Sequence, residues 1–195
     1  MTAHSVKPAA APAQTGVWVG IAAITMSFAA YSSALIVRQG ANPDWRHFTL
    51  PRILFFNTLV VLASSATLYM ARPHSRATLD RSGALTAVDA PHLTWLYTTI
   101  ALGFFFLAGQ LRAWRDLFDQ GITLASNPSS SFFYLLTATH GLHLLGGLAG
   151  LLYVAYRVRR SSAERAGRAY RAASLYWHFM TLLWLYLFAL LAVRI

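Results

Sequence analysis

Five long apolar stretches restrict the fold of this chain more than any other feature. They run from about Gly16 to Val37, Ile53 to Ala71, Leu93 to Leu111, Ser131 to Tyr156 and Ala172 to Val193. Each is near or above the roughly 20 residues that an α-helix needs to cross a hydrocarbon core. Lipid cannot satisfy backbone N–H and C=O groups, so spanning segments must close their hydrogen bonds internally. No strand alternation suggests a barrel, and no internal repeat is visible. The expected fold class is therefore all-α: an integral membrane helical bundle of five transmembrane helices over residues 16–195. Residues 1–15, rich in Ala and Pro, read as a flexible N-terminal tail on the first helix. With one Lys and no apolar stretch before Thr15, this tail does not read as a cleavable signal.

Composition agrees. Charged residues make up 11% of the 195, against roughly a quarter in soluble domains. All six carboxylates, Asp44, Asp80, Asp89, Asp116, Asp119 and Glu164, lie outside the apolar stretches. A proton or cation carrier usually keeps an acid inside the membrane, and many transporters show repeat symmetry, so a transporter is disfavoured. Cysteine is absent, which excludes disulfides, thiolate metal sites, iron–sulfur clusters and covalent c-type haem. No serine–histidine–acid set or phosphate-binding glycine loop is present.

The net charge of +10 does not point to nucleic acid. The basic residues sit between apolar stretches, where topology and lipid headgroups account for them. The N-terminus, the second connection (Arg72 to His92) and a basic fourth loop (Arg157 to Arg171) hold ten of the 16 Lys and Arg residues. The first connection (Arg38 to Arg52), the third (Arg112 to Ser130) and the C-terminus hold the other six. The positive-inside rule then places the N-terminus in the cytoplasm and the C-terminus outside.

Helices in lipid are held together by small residues and interhelical hydrogen bonds. Thr25, Ala29 and Ser32 share a face of the first segment. Asn57 pairs with Ser64, and Thr58 with Ser65, on faces of the second, and Gly103 with Gln110 on the third. These residues are expected to point into the bundle, as packing groups or along a substrate path.

The fourth segment is the most unusual. His140 and His143 stand three apart, followed by Gly146, Gly147 and Gly150. Imidazoles at that spacing can hold a metal, and membrane b-type haems also use His within helices. Alternatively each His bonds a neighbouring helix, and the glycines allow close approach. The fifth segment carries Tyr176-Trp177-His178-Phe179 and then Trp184. His178 reads either as a haem ligand opposite His140 or His143, or as a hydrogen-bonded bundle residue.

Taken together, these segments resemble subunit III of the haem–copper oxidases. The resemblance rests on Ser131-Phe132-Phe133 leading into His140-Gly141-Leu142-His143-Leu144-Leu145-Gly146-Gly147, then on Tyr176-Trp177-His178-Phe179 with Trp184-Leu185. Leu50-Pro51, Asn57-Thr58 and Ser64-Ser65-Ala66-Thr67 add to it, as do Leu102-Gly103, Phe106 and Gln110, and Trp18 with Ile21-Ala22. The chain looks like the short form that lacks the first two of seven helices.

The resemblance implies a non-catalytic accessory subunit in a bacterial-type inner membrane. Such a subunit packs on catalytic oxidase subunit I among other oxidase subunits, binds no cofactor itself and holds phospholipid. Haem and copper reside in its partners, which reduce oxygen and pump protons. His140, His143, Gly146, Gly147, Trp177, His178, Trp184, Asn57 and Gln110 are then packing, subunit or lipid contacts. The sequence departs from the family pattern where it usually has acids: Ile24, Thr181 and Ala113 stand there instead. A role needing a buried carboxylate is therefore not expected here. Competing readings are a related subunit of a nitric oxide reductase complex, and a small b-haem electron carrier using His140, His143 and His178.

Overall fold

A computed structural model describes residues 12–41, 44–72, 90–160 and 163–195. Its five helices are α1 (Pro12–Ala41), α2 (Ile53–Met70), α3 (Ala90–Asp119), α4 (Pro128–Arg160) and α5 (Ala163–Arg194). Each is long and apolar enough to cross a membrane, and no strand occurs among the described residues. The chain is an all-α, multi-pass membrane bundle. At about 1.5 Å per residue the 18 residues of α2 barely span the hydrocarbon core, whereas the 30 to 33 residues of the others overshoot it. Hydropathy marks only the lipid-immersed part of such helices.

For that reason most helices overrun the expected segments. Helix α1 already includes Pro12 to Thr15, which the tail was expected to hold, and residues 1–11 lie outside the described set. Most of the supposed basic loop is helical: Arg157, Arg159 and Arg160 end α4, and Arg165, Arg168 and Arg171 lie in α5. Ala and Arg are good helix formers, so the backbone continues its own hydrogen bonding beyond the lipid. At the third connection, α3 runs on to Asp119. Most of the second connection, 73–89, lies outside the described residues.

Local signals explain the α3–α4 turn. Gly121 takes a left-handed φ of 75°, Ile122 N–H bonds Leu117 O at 2.9 Å, and Gly121 N–H bonds Phe118 O at 2.9 Å. This is the glycine-terminated helix end that satisfies otherwise orphaned carbonyls. Asn127 caps α4, its Oδ1 accepting from Ser130 N–H at 2.9 Å, and Pro128 occupies the first helical position.

Helix α2 packs between α3 and α5, α4 lies on α5 and α3, and α1 leans on α4 and α5. The segment after α1 ties one end together. Phe48 N–H and Trp45 Nε1 donate to the carbonyls of Ile195 and Arg194, both at 3.1 Å, and Ser129 Oγ donates to Arg46 O at 2.5 Å. The core is aromatic and aliphatic, centred on Phe106, Phe133, Trp177 and Trp184. Outward faces carry Met26, Leu59, Leu142 and Leu182, each about two-thirds or more exposed, as a lipid-facing surface requires.

Candidate functional site

The hydroxyls of α2 meet the ring N–H groups of α5 in register. Trp184 Nε1 donates to Thr58 Oγ1 at 3.0 Å, and Trp177 Nε1 donates to Ser64 Oγ at 3.1 Å. His178 Nδ1 lies 2.6 Å from Ser65 Oγ. Farther along, Tyr170 OH donates to Leu68 O at 2.5 Å. The two helices run antiparallel, so the seven-residue step back from Trp184 to Trp177 meets the six-residue step forward from Thr58 to Ser64. Each bond satisfies a polar group that lipid would leave unpaired. The pairs Asn57/Ser64 and Thr58/Ser65 do face the bundle, as their spacing predicts. On α1 only part of the expected inward face holds: Ser32 is buried and donates to Phe28 O, whereas Thr25 and Ala29 are exposed, Thr25 donating to Ile21 O of its own helix.

Glycines set the closeness of α3 to its neighbours. A Cβ built at Gly103 would stand 2.7 Å from Trp177 and from Leu148. At Gly147 the rings of Trp177 and Tyr176 would lie 3.2 Å away, whereas at Gly146 the nearest atom is Tyr176 Oη at 3.9 Å. Gly147 is therefore a helix contact, and Gly146 opens toward a groove. The tightest of the described glycines, Gly109, carried no signal in the sequence. Asn57 lies against it, and Asn57 Nδ2 donates to Phe106 O at 3.3 Å.

The three intramembrane imidazoles turn to three different neighbours. His140 is fully buried, its ring 5.2 Å from Trp184 and 6.0 Å from Phe106 between centroids. His143 donates from Nδ1 to Thr139 O at 2.7 Å and sets its ring 5.9 Å from Phe28 of α1. His178 faces α2 through Ser65. Thus His140 and His143 diverge despite their i, i+3 spacing. A haem held by two of these residues would need two imidazoles converging on one open space. The arrangement does not fit that, since rings of Trp184 and Phe106 fill the surroundings of His140. Among the described residues no group of three or more His, Cys, Asp or Glu is placed to hold a metal ion.

Gln110 is buried, as are the three residues at positions where acids were expected. Ile24 and Ala113 join the apolar core, and Thr181 Oγ1 donates to Trp177 O at 3.2 Å.

A groove of about 870 Å3 opens between the ends of α1, α4 and α5. Its floor is Gly146, Gly147, Gly150 and Ala173, and its rim carries Arg157, Arg165 and Arg168. Arg157 Nε donates to Tyr153 OH at 2.7 Å, with its guanidinium 5.1 Å from that ring. A small-residue floor beneath a cationic rim suits an acyl chain below a phosphate. The sequence reading identified the glycines but placed the arginines in a loop. Tyr176, whose OH donates to His143 O at 3.0 Å and forms part of the wall, stood in a quoted motif without an assigned contact.

Comparison with known proteins adds an independent line. The family model described as cytochrome c oxidase subunit III matches residues 20–193. The chain is 36% identical over 96 residues to the probable cytochrome c oxidase subunit 3 of Nocardia farcinica, covering 49% of this chain and 47% of that one. It is 29% identical over 181 residues to cytochrome c oxidase subunit 3 of a Synechocystis species, covering 90% and 72%. With the Thermostichus vulcanus protein of the same name it shares 28% identity over 184 residues, covering 91% and 85%. Its matches to the Nocardia and Mycobacterium relatives span about half the length of those proteins.

Proposed function

The chain belongs to the cytochrome c oxidase subunit III family, and from that premise we propose that it is a non-catalytic accessory subunit of a respiratory haem–copper terminal oxidase. One observation carries this reading. Polar side chains of the family motifs on α2 and α5 are spent on helix-to-helix contacts, in Trp184–Thr58, Trp177–Ser64 and His178–Ser65. Such groups lend shape and rigidity; they are not arranged to exchange electrons or bind a substrate.

In this proposal the bundle packs on catalytic subunit I and on other oxidase subunits, and haem and copper belong to those partners. The chain itself binds no haem or copper. Phospholipid occupies the groove beneath Arg157, Arg165 and Arg168. The arginine-rich end of α4 and α5 faces the cytoplasm of a bacterial-type inner membrane, which puts the N-terminus inside and the C-terminus outside.

The test is isolation of the native complex in mild detergent, with identification of what accompanies this chain. Co-purification with an oxygen-reducing subunit I is expected. The chain isolated alone is expected to give a flat reduced-minus-oxidised spectrum. A haem spectrum from the chain alone, or a non-haem-iron nitric oxide reductase as the sole partner, would overturn the proposal.

A further inference from the structure

A second cleft, of about 450 Å3, lies at the opposite end of the bundle from the basic groove, where α3 turns into α4. Leu111, Trp114, Arg115 and Phe118 form one wall at helical spacing, and Leu124 and Tyr134 form the other. The polar atoms of the aromatic walls are already engaged: Trp114 Nε1 donates to Thr137 Oγ1 at 3.1 Å, and Tyr134 OH donates to Ile122 O at 2.9 Å. With the Gly121 turn behind it, the cleft is held in shape before anything enters. What it offers is mainly apolar surface, with Thr123 and one cation.

Arg115 is that cation. Neighbouring Arg112 pairs with Asp116 at 2.9 Å, but Arg115 forms no ion pair among the described residues, although Asp119 stands one turn away. Leu111, Phe118 and Leu124 are each more than half exposed. The stripe continues into the membrane through exposed Phe104, one heptad before Leu111, so the cleft runs into the lipid-facing side of α3. Arg112, Asp116 and Asp119 mark this level as the membrane boundary.

We propose that this cleft binds one anionic phospholipid from the leaflet on the C-terminal side of the bundle. Its phosphate rests on Arg115, and an acyl chain descends past Phe118 and Leu111. The charge of Arg115 and the continuity with the lipid-facing stripe select this occupant over a neutral lipid or a protein. The inference depends on the membrane-spanning fold, not on the identity of the oxidase partner.

The experiment uses the full chain in phosphatidylcholine nanodiscs doped with phosphatidylglycerol, with bound lipids counted by native mass spectrometry. Arg115→Gln is expected to lower phosphatidylglycerol retention about fivefold, and Arg115→Lys to keep most of it. Phosphatidylcholine retention should not change in either. Phe118→Ala should weaken retention of both lipids, and Arg165→Gln in the basic groove should act additively with Arg115→Gln. Unchanged phosphatidylglycerol retention in Arg115→Gln would overturn the proposal. So would a structure of the native complex with a protein subunit seated in the cleft.

Discussion

The side-chain amide of Asn57 lies across Gly109 so closely that a Cβ there would overlap Asn57 Oδ1. Gly109→Ala therefore forces the amide away and costs its bond to Phe106 O. Overpacking of this kind costs about 1–3 kcal/mol, which offsets the roughly 1 kcal/mol an alanine brings to a helix. The expected outcome is a lower thermal midpoint in detergent. Adding Asn57→Ala should recover most of the loss by clearing the space. If Gly109→Ala alone raises the midpoint, the close approach of α2 and α3 is wrong.

The Trp184–Thr58 bond lends itself to a double-mutant cycle. Trp184→Phe also disturbs packing against Phe106, whose ring is 4.8 Å away, so a single substitution would mislead. Combined with Thr58→Val, the coupling should be about 0.6 kcal/mol, the usual scale for interhelical hydrogen bonds in membranes. Reversible unfolding in mixed micelles measures it. A coupling of zero would remove this bond from the forces joining α2 to α5.

Both ring nitrogens of His140 are buried without a hydrogen-bond partner among the described residues. Replacing an unpaired buried polar group by an apolar one of similar shape is close to neutral or stabilising. His140→Phe should therefore leave the thermal midpoint equal or higher and the haem content of the purified complex unchanged. Spectral loss of a haem carried by this chain would restore the ligand reading of His140.

A pH effect is expected outside the membrane. Arg38 holds Asp44 in a two-point contact at 2.9 and 2.6 Å, and that hydrogen bond keeps the Asp44 carboxyl below its ordinary value of 3.8. A carboxylate depressed on folding contributes stability above its unfolded pKa and loses it as pH falls through the folded one. Amide protection factors at residues 44–50, taken against the intrinsic exchange rate at each pH, should thus be flat from neutral pH down to about pH 4 and fall only below it. Both groups are solvent-exposed, so added salt should shrink the effect. Asp44→Asn should abolish it.

Much of the fold was legible because the signal for a membrane helix is local. Five runs of apolar residues each carry their own insertion free energy, whatever their neighbours do. The hydroxyls of Thr58, Ser64 and Ser65 were recognisable as inward-facing from spacing alone. Their partners were not, since a seven-residue step names a face and not what covers it. Tyr170 escaped notice because it sat in what read as a basic loop, and Gly109 because no repeat of small residues announced it.

Residue order alone thus marks out a membrane as this protein's surroundings, the number and order of its helices, and the family to which its motifs belong. Packing alone settled that His140 and His143 part company, that Gly147 meets the Tyr176 and Trp177 rings while Gly146 stays open, and that the α4–α5 arginines form a rim. These outcomes depend on which helix lies opposite. That choice is made by packing between segments far apart in the chain, and no window of sequence contains both sides of the contact.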